Sequence, residues 1–83
     1  MAMDDTAWEM VKIIRDSSNE ERISDATLTL LSFAPSLDKE SINDIIWEMT
    51  KIIRDSQNEG RRSVAQKVLT IFKNLQLSKK GLF

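Results

Sequence analysis

WEMVKIIRDSSNE, residues 8–20, returns as WEMTKIIRDSQNE at residues 47–59. Eleven of the thirteen positions are identical, at an offset of 39 residues. Apolar residues in each copy fall three and four apart, the spacing of one face of an α-helix. Around the first copy, Met3, Ala7, Met10 and Ile14 form the stripe, with Val11 and Ile13 beside it. Around the second, Ile42, Ile46, Met49 and Ile53 repeat it, flanked by Ile45 and Ile52. A helix is predicted over residues 6–18 and another over residues 37–57. Thr6-Ala7-Trp8-Glu9 has the form of a capping box, and Asp4 and Asp5 suit the positive end of a helix dipole.

The match runs on past the block. Arg22/Arg61, Ser24/Ser63, Ala26/Ala65, Leu30/Leu69 and Phe33/Phe72 agree at the same offset. Ile23, Ala26, Leu30 and Phe33 make the stripe of a second helix, over residues 21–33, which Pro35 must stop. Val64, Ala65, Val68, Leu69, Phe72 and Leu75 make that of a fourth, over residues 61–77. Asn58-Glu59-Gly60 reads as the turn before it, with Gly60 free to take a positive φ. The duplicated unit is therefore a helical hairpin. The expected fold is all-α, two tandem helical hairpins packed as a four-helix arrangement. It is a single domain over 1–83, with repeat one at 5–34, repeat two at 44–77 and a loose tail at 78–83.

Composition agrees and narrows the chemistry. One Pro and two Gly leave few turns, hence a few long elements. There is no Cys and no His, which removes disulfides, thiolate metal sites and His-assisted nucleophiles. Asp16, Glu20 and Glu21, with Asp55 and Glu59, lack any accompanying phosphate cradle, nucleophile–base pair or calcium-loop spacing. The expectation is a non-enzyme with no metal and no cofactor. No apolar run reaches the length of a membrane span, and the acidic first ten residues do not resemble a secretory leader. An intracellular, cytoplasmic location is expected on that basis.

The run Arg62-x-x-Ala65-x-x-Val68-Leu69, the paired amphipathic helices and the period resemble HEAT or armadillo repeats. That resemblance implies an α-solenoid type of fold and a scaffold or adaptor role, with no particular functional residue. The first copy departs from the pattern, since Arg22 lies four residues before Ala26, and the only Pro sits between the copies. Stacked hairpins usually need about three units to bury their faces. Two can instead close as a four-helix bundle, dimerise or belong to a longer array.

Two surfaces are candidates for function. At about 100° per residue, Trp8, Lys12 and Arg15 share one line beside the apolar stripe, and Trp47, Lys51 and Arg54 repeat it. An indole between two cations suits an acidic or aromatic side chain of a protein partner, or a second copy of the chain. Packing alone accounts for a Trp at the stripe border with cation stems over it. Packing does not require that solvent-facing Glu9/Glu48, Asp16/Asp55 and Asn19/Asn58 also match, although a recent duplication would leave them so. The second candidate follows from charge. Residues 1–39 hold eight acids and four bases, residues 40–83 five and eight. Arg62, Lys67, Lys73, Lys79 and Lys80 form a basic series that offers phosphate contacts to nucleic acid. An anionic membrane touched by this helix with Leu82 and Phe83 is a further reading. The favoured function is a self-associating protein–protein interaction or scaffold module, with nucleic-acid binding as the alternative.

Overall fold

Three local devices set where the last three of the four helices begin. Asn19 Oδ1 accepts from the Arg22 N–H at 3.1 Å, and Asn58 Oδ1 from the Arg61 N–H at 2.9 Å. In both turns the Asn N–H donates to the Ser two residues before it, Ser17 or Ser56, at 3.1 Å. Asp38 accepts from the Ser41 N–H at 2.8 Å. Each satisfies an orphan donor of a helix N-terminus. The computed structural model describes residues 5–79, with the Lys79 side chain left out. It contains α1 (Asp5–Asp16), α2 (Glu20–Phe33), α3 (Lys39–Asp55) and α4 (Glu59–Lys79).

The all-α four-helix arrangement is as expected. Three-residue turns fold α1 onto α2 and α3 onto α4, giving two hairpins. The hairpins meet through α1 against α3 and α4, and through α2 against α4. The chain passes Pro35 in one 3-10 turn, Ala34–Ser36, with Ala34 buried. The radius of gyration is 12.1 Å, close to the ~12 Å of a compact chain of this length.

Several boundaries differ from expectation. Helix α1 is already running at Asp5, so Thr6 is not its cap. Gly60 lies in the first turn of α4 at no positive φ, because the Asn58 side chain starts the helix at Glu59. Helix α4 continues through Ser78 and Lys79, shortening the expected tail, since no Pro or Gly intervenes to stop it. Met3, Asp4, Lys80, Leu82 and Phe83 lie outside the described residues.

The core corrects the two stripes, and does so differently in each copy. In α1 the buried residues are Ala7, Val11 and Ile14, while Met10 and Ile13 are half-buried. In α3 they are Ile42, Ile45, Met49 and Ile52. Ile46 and Ile53, the counterparts of Ala7 and Ile14, are only half-buried. One local sequence thus turns flanks about 100° apart into the core. Hairpins related by a two-fold axis would bury the same flank. The two first helices therefore turn different flanks inward, and the hairpins are not related by such an axis. In α2 and α4, Ile23, Ala26, Leu30, Ala65, Val68, Leu69 and Phe72 complete the core, with Phe33, Val64 and Leu75 partly exposed.

Candidate interaction surfaces

The two Trp-cation lines meet different fates. Trp8 is partly buried against the core, with the Arg15 guanidinium 5.9 Å from its ring centroid. Lys12 pairs with Glu9 at 3.0 Å. Arg15 also turns across to the second hairpin, where its Nη1 lies 3.9 Å from Glu48 Oε1. The Glu48 side chain is only 13% exposed and holds Lys51 at 3.0 Å as well. Of the first line, Arg15 alone is seen to reach the joint between hairpins.

The second line faces outward. Trp47 is 54% exposed, with the Lys51 ammonium and the Arg54 guanidinium each 5.8 Å from its ring centroid. Covering its free half removes roughly 100 Å² of apolar surface, about 2.5 kcal/mol before ordering costs. Both flanking cations are already paired, Lys51 with Glu48 and Arg54 with Asp55, so an incoming carboxylate competes with those acids for them. Arg15 and Arg54 each hydrogen-bond the next residue, Asp16 at 2.8 Å and Asp55 at 2.9 Å. Those guanidinium hydrogen bonds hold both carboxyls below the usual Asp range.

A third surface was not foreseen. Between α2 and α4 lies an open groove of about 710 Å³. Leu28 and Leu31 line one wall, Val64 and Ile71 the other. Leu28 is 66% exposed and Ile71 40%. Its sequence signal was the pairing of Leu28 with Lys67 at the repeat offset, an apolar residue on an otherwise polar flank. The structural role of Arg61 was also missed. Its guanidinium donates to the carbonyls of Ile14, at 3.2 Å, Arg15 and Ser17, closing the C-terminus of α1. Only the Arg22/Arg61 identity outside the main block hinted at it.

Of the basic series, Arg62, Lys67 and Lys73 are exposed; Arg62 and Lys73 lie within about 20° on one face of the helix, while Lys67 sits about 140° from Arg62 and lines the α2–α4 groove. Lys79 belongs to α4 with its side chain undescribed, and Lys80 lies outside the described residues. Among the described residues, no group of three or more acidic side chains is placed to hold a metal ion. No helix among them is long and apolar enough to cross a membrane. No known protein family, curated protein or solved structure matches the chain.

Proposed function

We propose that this chain is a non-enzymatic protein–protein interaction module, a scaffold of the HEAT-like kind, that recruits its partner along the outer edge of α3. The observation that carries the reading is Trp47, more than half exposed between Lys51 and Arg54. A large rigid aromatic flanked by cations is the usual make-up of an interface anchor. The partner face it fits is apolar at its centre and acidic at its rim.

The test places a photo-crosslinking residue at position 54 in cells expressing the protein. A discrete protein adduct, lost on Trp47→Ala, is expected. Absence of any protein adduct, or adducts confined to nucleic acid with the crosslinker moved to position 62 or 73, overturns the reading in favour of the basic helix.

A further inference from the structure

The joint between the two hairpins is made of two unlike halves. The forward half, on the first hairpin, offers the α1 carbonyls of Ile14, Arg15 and Ser17 together with the Arg15 guanidinium. The rear half, on the second, offers Arg61, which takes those carbonyls, and Glu48, which faces Arg15 at 3.9 Å. Because the sequence repeats, each half exists a second time, at an end of the molecule where no described residue of the other hairpin meets it.

The second rear half is on the first hairpin. Arg22 is the counterpart of Arg61 and Glu9 of Glu48. Arg22 is exposed, and among the described residues its guanidinium has no hydrogen-bond or ion-pair partner. The second forward half is on the second hairpin. Arg54 is the counterpart of Arg15, its side chain 58% exposed. The carbonyls of Ile53 and Ser56 accept no hydrogen bond from the described residues. The apolar surroundings follow suit. Met10 and Ile13 are half-buried at one end where Met49 and Ile52 are buried in the joint. Ile46 and Ile53 are half-buried at the other where Ala7 and Ile14 are buried.

The surface itself records the vacancy of the rear half. A cleft of about 510 Å³ at the joint is lined by eight residues of the second hairpin, Glu48 to Arg61, and by Arg15 of the first. A cleft of about 570 Å³ at the free end is lined by the eight counterparts, Glu9 to Arg22, each offset by 39 residues. Only the arginine from a preceding hairpin is missing, and the residue that corresponds to it is Arg54.

We infer that copies of this chain stack head to tail, the free end of the second hairpin of one copy receiving the free end of the first hairpin of the next. Arg22 then closes the C-terminus of α3 in the neighbouring copy, and Arg54 enters the cleft beside Glu9. The inference deepens the interaction reading by naming the partner as a second copy. A two-fold contact is disfavoured, since it sets Arg54 against Arg54 or Arg22 against Arg22. The seam follows α1 and α3. Along the second helices the forward end carries Arg62 and Gln66 where the joint has Ile23 and Thr27, so that side stays wet. The contact is heterologous and does not close, so the series is open-ended and rises with concentration.

The test compares masses in solution for the wild type, Arg22→Glu and Arg54→Glu, each checked for helical content. Wild-type mass should climb past twice the 9.5 kDa protomer as concentration rises. Each variant has one dead end and should associate at least about tenfold more weakly. Mixing the two variants joins their live ends, and the mass should settle at two protomers and go no further. A wild type that stays at 9.5 kDa overturns the stacking, as does a dimer indifferent to Arg22→Glu or a mixture no larger than its components. A monomeric wild type that still gives a discrete foreign adduct from position 54 overturns the stacking alone and leaves the interaction reading standing.

Discussion

Arg61 of α4 donates to the carbonyl oxygen of Ile14 in α1 at 3.2 Å, tying the start of the last helix to the end of the first. It reaches across 47 residues of chain and satisfies backbone acceptors that a helix end otherwise leaves to water. Arg22, at the equivalent position of the first hairpin, makes no such contact among the described residues. Arg61→Ala should therefore cost about 1.5–3 kcal/mol, the range for hydrogen bonds from a charged donor. Arg22→Ala should stay within about 0.5 kcal/mol of the wild type. Urea denaturation at low protein concentration separates them, and equal effects would show that the α1 closure contributes nothing.

The same comparison applies to the core. Ile14 is fully buried and Ile53 half-buried, although both sit in the sequence KIIRDS. Ile14→Ala should cost about 3–5 kcal/mol, Ile53→Ala about 1–2. For the methionines the order reverses, since Met49 is buried and Met10 is not. Met49→Ala should be the more costly by about 1–2 kcal/mol. Chemical denaturation of the four variants checks both orders at once.

Gly60 occupies the first turn of α4, and a Cβ there meets Asn58 Oδ1 at 3.3 Å. The contact is tight, yet the equivalent turn of α2 carries Glu21 with the same Asn cap. Helix propensity then decides the sign. Gly60→Ala should stabilise by about 0.5–1 kcal/mol, read from the denaturation midpoint. A loss would mean that the capping Asn58 is displaced.

Trp8 and Trp47 are distinguishable in solution. In Trp8→Phe the remaining indole is the exposed Trp47. Its emission should lie further to the red and be quenched by acrylamide more steeply than that of Trp47→Phe, which reports Trp8. As concentration rises, Trp47 should become shielded while Trp8 hardly changes. Equal quenching at low concentration would contradict the geometry.

Asp16 and Asp55 both sit below the usual carboxylate range because Arg15 and Arg54 hydrogen-bond their ionised forms. A depressed folded value gives stability that is present above the unfolded pKa of about 3.9 and is lost as pH falls through the folded value. Carbon-detected titration should therefore place both carboxyls below the ordinary Asp value of about 3.9, and Arg15→Gln should return Asp16 toward it. No movement on Arg15→Gln would assign the shift to another cause. Both pairs are solvent-exposed, so the consequence for overall stability is small.

The repeated block, the hairpins and the helix count are legible in the sequence because each rests on short-range physics. The Asn-Glu turns and their Ser and Asn caps act over two or three residues, so identical sequences build identical turns. Apolar spacing reports that a helix has an inner face. It does not report which way that face is turned when a stripe is broad enough to serve two neighbours. Met10 and Ile14 lie close enough on the helix that either flank suits the pattern, and the packing partner chose Ile14 in α1 and Met49 in α3.

The sequence by itself determined that every surface on the first helix of a hairpin exists twice. Only the tertiary structure decided that the two are used differently. Each first helix packs against different neighbours, so the two copies bury different flanks. Trp8 packs partly buried against the core and Arg15 reaches Glu48 of the second hairpin, whereas Trp47 and Arg54 are left facing solvent. Local sequence carries no information about which unit stands first, and that order separates the anchored copy from the available one.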